Sequence, residues 1–102
     1  MSNYRNRKIL DLAHQITECQ IGIPGVCIGH QAHGCEPVHS DSSRHGKGMG
    51  VKAHDLFHAA GCRACHEGLP KLPREGREWH WQRGFEKTML EYFRRGWVGV
   101  AK

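Results

Sequence analysis

Cys62-Arg63-Ala64-Cys65-His66 is the stretch on which the reading of this chain turns. Two cysteines two residues apart can face one ion, so the run reads first as half of a tetrahedral zinc site. His66 follows the second cysteine directly, and Cys-x-x-Cys-His is also the attachment motif for c-type haem. A zinc-stapled nuclease places a histidine beside its knuckle in the same way. Three classes are open at this point: a bare zinc finger, a haem protein and a zinc-stapled nuclease.

A zinc site needs a second half. Cys19-Gln-Ile-Gly-Ile-Pro-Gly-Val-Cys27 supplies two more thiols around Pro24-Gly25, a strong turn signal. Ile21, Ile23, Val26 and Ile28 flank that turn, and a short hairpin or knuckle here brings Cys19 and Cys27 together. The gap is longer than the usual spacing, so this half is the weaker signal taken alone. Joined to Cys62 and Cys65 it completes four sulfur ligands, and a site with four cysteine ligands is structural because no position stays open. Cys35 is left over, as an alternative to Cys27 or as a free, partly buried thiol.

Composition sorts the classes. A chain of 102 residues is expected to be one domain. Its mean hydropathy of −0.63 leaves little apolar excess, and small domains of this kind use a metal or disulfides as a staple. Five cysteines, an odd number, argue against a full set of internal disulfides. Met1 to Lys8 is polar and basic with no apolar run behind it, and no stretch is apolar enough for a membrane span. A cytoplasmic protein is expected, with reduced thiols that bind metal. Haem attachment normally follows export, and it leaves Cys19, Cys27 and Cys35 without a role, so no haem is expected. Lys plus Arg number 15 against 10 acidic residues, for a net charge of +5. That balance suits a polyanion, most simply nucleic acid. Nine histidines are many for this length, and some are expected to be ligands or catalysts.

The rest of the chain places these groups. Ile9, Leu12, Ala13 and Ile16 fall on one helical face, which predicts an N-terminal helix over 1–18. Glu36-Pro37-Val38-His39 reads as a brief extended stretch. Ser40 to Gly50 is rich in Ser, Gly and basic residues and reads as a flexible loop, with Arg44, Lys47 and Lys52 placed to meet phosphate. Its glycines match no phosphate-loop pattern, since no Gly-Lys-Ser/Thr occurs, so an NTP site is not expected. Asp55 to Gly61 reads as a second strand running into the Cys-x-x-Cys turn. Pro70 and Pro73 delay the last helix to about residue 74. From there Trp81, Phe85, Met89 and Tyr92 form a core stripe, widened by Leu90 and Phe93, and Gly96 ends a helix over 74–96. Trp79 and Trp97 fall off this stripe, which leaves packing and base-stacking roles both open.

With these residues in order, the chain resembles the YbcO-like candidate nucleases of phages and prophages, a small family related to HNH endonucleases. The resemblance covers roughly residues 17–68 and rests on Glu18-Cys19-Gln20, Ile23-Pro24-Gly25-Val26-Cys27 and Ala64-Cys65-His66-Glu67 recurring in that order. It implies an α+β fold: a small zinc-stapled ββα-metal domain, HNH or treble-clef-like, with the knuckle and core in 19–68 and flanking N- and C-terminal helices. It further implies that Cys19, Cys27, Cys62 and Cys65 hold structural zinc and that His39 activates water. Asp55 falls where a loop-orienting Asn often stands, and His66 falls where the family has a ligand for a catalytic divalent cation, magnesium or manganese. One departure is visible. HNH enzymes carry an Asp, Glu or His just before the first His, and here that residue is Val38; Glu36, Asp41 and Asp55 are the acids that could supply the missing oxygen.

The function expected from the sequence is therefore hydrolysis of DNA phosphodiesters, with His39 as general base and a cation near His66. The alternative is a zinc-stapled module that binds nucleic acid, or another protein, without cutting.

Overall fold

Helix α1 begins because Asn6 caps it. Its backbone is extended, and its side-chain oxygen accepts the Ile9 N–H at 3.2 Å. The computed structural model describes residues 3–99, and in it α1 spans Arg7–Ala13, shorter than the 1–18 expected. Its end has a clear cause. The carbonyls of Ile16 and Thr17 accept the Cys35 and Gln31 N–H groups at 2.7 and 2.6 Å, so they cannot serve a continuing helix. Ile16 is still fully buried, but from the turn after α1.

The 19–27 segment folds as a knuckle without strands. Gly25 takes φ +75° after Pro24, and the Val26 and Cys27 N–H groups both bond the Ile23 carbonyl. A single bridge between Glu18 and His30 closes its base.

Strands β1 (Glu36–His39) and β2 (His58–Gly61) pair antiparallel, with His39 opposite His58 and Val38 opposite Ala59. The second strand is shorter than Asp55 to Gly61, because Asp55, Leu56 and Phe57 form a turn closed by His58 N–H on the Leu56 carbonyl. Helix α2 (Arg63–Gly68) follows at once and is capped by Cys62, whose sulfur accepts the Cys65 N–H at 3.4 Å. Helix α3 spans Arg74–Arg94, and Gly96 follows at φ +73°, in the left-handed region that favours glycine after a helix end.

Alternation along the strands splits the core in two. Val38 and Ala59 face one cluster with Ile21, Ile23, Leu69 and Trp81, while Ala60 faces another with Ala13, Ile16, Cys35 and Tyr92. Helix α3 spans both. Its buried positions are Trp81, Gly84, Thr88 and Tyr92; Phe85 and Met89 pack at the margin, and Leu90 and Phe93 are exposed rather than part of the buried stripe. Gly84 is required where α3 meets the knuckle, since a Cβ there would stand 2.9 Å from the Ile21 side chain.

Residues 40–57, expected as a flexible loop in their first half, are tied down. Ser42 caps a short 3-10 turn at Ser43–His45, and His45 stacks on Phe57 with ring centroids 4.2 Å apart. The N-terminal residues bind the same segment. The Asn3 amide donates to the Gly46 and Lys52 carbonyls, and Arg5 donates to those of Lys52 and Ala53. Among the described residues no helix is long and apolar enough to cross a membrane.

Candidate metal centre and histidine cleft

The ligand atoms of Cys19, Cys27, Cys62 and Cys65 all lie within 4.8 Å of one another. Tetrahedral zinc with Zn–S bonds near 2.3 Å sets its sulfurs about 3.8 Å apart, so the cluster is of the right size. Every sulfur also accepts a backbone N–H: Cys62 N–H on Cys19 at 3.2 Å, Gly29 on Cys27 at 3.2 Å, Cys65 on Cys62 at 3.4 Å and Ile23 on Cys65 at 3.5 Å. Such donors stabilise thiolates and hold each sulfur in place. Burial pushes the Cys62 thiol up, but N–H groups from Ile28 and Cys65 and the adjacent thiols outweigh it and bring it down to about 7. Burial pushes Cys27 and Cys65 up. A divalent cation among the sulfurs would remove that penalty, and the donor set fits zinc. Cys35 lies outside the four. It is buried beside Tyr92 in the second cluster, and its thiol is pushed up to about 12 by burial and by the neighbouring thiolates.

His39 and His66 line one cleft of about 530 Å³, together with Lys47, Lys52 and Arg77. Strand β1 presents His39 to the cleft and α2 presents His66. Both imidazoles have a carboxylate partner that does not line the cleft. His39 Nε2–H donates to Asp55 Oδ1 at 2.9 Å. His66 Nδ1–H faces Glu36 Oε1 at 2.5 Å, and Glu36 is shared with Arg63 at 3.4 Å. An ionised carboxylate only accepts, so each pairing fixes a tautomer with the opposite ring nitrogen free as an acceptor.

Asp55 is itself well held. It is 4% exposed, accepts the Asn6 backbone N–H at 2.7 Å and lies 3.4 Å from the Arg5 guanidinium. Burial pushes its carboxyl up, but the hydrogen bonds from His39 and Asn6, the Arg5 charge and that of His39 when protonated overcome this and leave it below the usual range. Its role is thus to hold the His39 ring directly.

The structure separates the three acids named beside Val38. Glu36 goes to His66, Asp55 to His39, and Asp41 lies 2.9 Å from Arg77, whose Nε–H is not aimed to bond it. Val38 is buried in the core, and its carbonyl accepts the Trp81 indole N–H at 2.9 Å. The basic residues divide as well: Lys47 and Lys52 border the histidine cleft, while Arg44 lines a neighbouring one.

Two histidines that the sequence did not single out do structural work. His58 is fully buried. Its Nδ1–H donates to the Asp55 carbonyl at 2.7 Å, and its Nε2 accepts from the Tyr92 hydroxyl at 3.0 Å. Its apolar setting, Phe57-His58-Ala59-Ala60, was the available signal. His45 bonds Ser40 at 2.6 Å beneath Phe57.

Among the described residues the chain is thus a small α+β domain with a two-stranded sheet, three helices and a four-cysteine cluster suited to a metal ion. Among solved structures it is similar to a protein attributed to a bacteriophage, from Escherichia coli str. K-12 substr. MG1655. The TM-score is 0.64 at 22% identity, over 85% of this chain and 98% of that one. At that identity the likeness is one of fold. No family model and no curated protein matches the sequence.

Proposed function

We propose that this protein is a metal-dependent nuclease of phage or prophage origin that hydrolyses DNA phosphodiesters in the cleft between β1 and α2. The observation that carries the reading is the pair of histidines in one basic cleft, each backed by its own carboxylate. With Asp55 on Nε2, His39 has Nδ1 left to take a proton from water. The water oxygen then bonds to phosphorus, the opposite P–O bond breaks, and the departing sugar oxygen takes up a proton from solvent. Lys47, Lys52 and Arg77 supply positive charge for the phosphate. His66, with Nδ1 on Glu36, has Nε2 free to hold a divalent cation such as magnesium or manganese. When bound, that cation would offset charge on the phosphate oxygens. Zinc among Cys19, Cys27, Cys62 and Cys65 would be structural, with no position open for chemistry. The likeness to a bacteriophage protein supports the phage setting.

The core role of Val38 favours a second reading. No acidic or histidine ligand precedes His39, and a zinc-stapled module that binds nucleic acid without cutting would have the same fold. One experiment separates the two. Plasmid, single-stranded and branched DNA are incubated with the protein and magnesium, manganese, cobalt or nickel. The wild type is expected to cut. His39→Ala should lose cleavage by about 10²–10⁴-fold with zinc content intact and a melting temperature lowered by several degrees, because Asp55 loses a hydrogen bond but the fold remains. His66→Ala should be partly rescued by more divalent cation. Binding without cleavage of any substrate would leave the module.

A further inference from the structure

Next to the histidine cleft is a second one of about 570 Å³, within the range that takes small organic ligands. The two share Ser40, Asp41 and Trp81 as a common wall. The second cleft differs in charge. Asp41, Glu75, Glu78 and Glu86 line it against Arg44 and Arg83, whereas Lys47, Lys52 and Arg77 border the first against Asp41 alone. A phosphate is drawn to the first and repelled by the second.

What the second cleft offers is an aromatic surface. Trp79 on α3 is 56% exposed, and the Arg83 guanidinium lies over its ring, 5.2 Å from the centroid. Trp97, by contrast, packs on Tyr92. Beside Trp79, Glu78 and Gln82 provide acceptors and donors. An uncharged flat ring with polar edges suits this lining, because it gains stacking without meeting the carboxylates as an anion.

Resting on the nuclease reading above, we propose that this cleft holds an unpaired nucleobase of the substrate, stacked on Trp79, while the adjoining phosphate lies between His39 and His66. The substrate class is then single-stranded nucleic acid, or a strand exposed at a junction. A base already paired in a duplex is not free to enter.

The test is equilibrium binding by fluorescence anisotropy, without added divalent cation so that cleavage does not intrude. The probes are a labelled oligothymidylate and an abasic phosphate backbone of equal length. Wild type should bind the thymidylate about tenfold more tightly than the abasic strand. Trp79→Ala should lose that preference while binding the abasic strand as wild type does, with an unchanged melting temperature as its folding control. Trp79→Phe should keep most of the preference. Lys47→Ala with Lys52→Ala should weaken both probes and preserve their ratio. Equal wild-type affinity for the two strands, or a preference that survives Trp79→Ala, would overturn the base pocket alone. No binding of either strand would overturn the base pocket and leave the nuclease reading to the cleavage assay on plasmid and branched DNA. A base preference here, together with no cleavage of any substrate in the divalent-cation assay above, would remove the nuclease and leave the pocket.

Discussion

The cysteine cluster and the histidine cleft are joined by a single peptide bond, between Cys65 and His66, and they are built in opposite ways. At the cluster, four side chains converge until their ligand atoms lie within 4.8 Å, and every sulfur is held by a backbone N–H. At the cleft, the side chains keep apart around open space, and the holding groups are carboxylates behind the rings. With zinc bound, the first arrangement would leave no coordination position open; the second leaves one free nitrogen on each imidazole. Proximity in sequence lets the closed site serve the open one. Cys62 caps α2 and Cys65 anchors its first turn, so the backbone that carries His66 is fixed before any substrate arrives.

The strongest way to break that dependence is to remove a thiol. Zinc binding contributes about 10–16 kcal/mol in small zinc-stapled peptides, so Cys62→Ser should lose metal and unfold, as should the wild type under a strong chelator. Cys35→Ser changes a buried thiol outside the cluster and should keep one zinc per chain by elemental analysis. Zinc loss in the Cys35 variant would reassign the ligands. Acting on the open site should cost less and leave the fold alone. Glu36→Gln weakens the group behind His66, and outer partners of this kind are worth about 10–100-fold in metal affinity or activity. The expected readout is a higher divalent-cation concentration for half-maximal cleavage, with zinc content unchanged. An unchanged cation requirement would mean that His66 does not hold the metal.

The same contrast explains what was legible in the sequence. The cysteines could be read because thiol chemistry restricts what four of them can do, whatever the intervening fold. Helix α3 could be read because its stripe runs over many turns, although Leu90 and Phe93, which widen that stripe by their spacing in sequence, face solvent. The partners of the histidines could not be read. Asp55 meets His39 only because residues 55–57 turn out of the strand, and Asn6 and Arg5 reach Asp55 from the other end of the chain. Glu36 meets His66 only through the register that sets Glu36 opposite Gly61. Nor does local composition report the strap from Asn3 to Asn6 that ties residues 46–55. A glycine-rich segment looks free until the groups that bond its carbonyls are known.

A smaller effect concerns the buried histidine behind the cleft. Burial lowers the pKa of His58 below its ordinary value, and burial followed by the Arg44 charge does the same at His45. The unfolded chain therefore binds protons that the folded chain refuses. Stability from this source is complete above the unfolded value of about 6.5 and is lost as pH falls through it toward the lower folded values. Between pH 7.5 and 6 the melting temperature should drop by on the order of a few degrees. His58→Gln should be less stable at pH 7.5 yet show a shallower drop. A slope as steep as wild type would assign the pH response to other groups.

The smallest effect is expected from one lysine at the rim of the open site. Lys47 and Lys52 border the cleft, whereas Arg44 lies among the carboxylates of the neighbouring one. If Lys52 neutralises one phosphate, its removal gives up the release of one condensed counterion, and the slope of log affinity against log salt should flatten by about 0.9 on duplex DNA or 0.7 on a single strand. Across a fourfold change in salt, the wild type should then lose about threefold more affinity than Lys52→Ala. Lys47→Ala should match it, and Arg44→Ala should leave the slope as it is. The comparison is internal, since all three are basic residues of the same segment and differ in the cleft they border. Equal flattening by Arg44→Ala would show that the backbone runs across both clefts, and the charge separation between them would then not direct the phosphate.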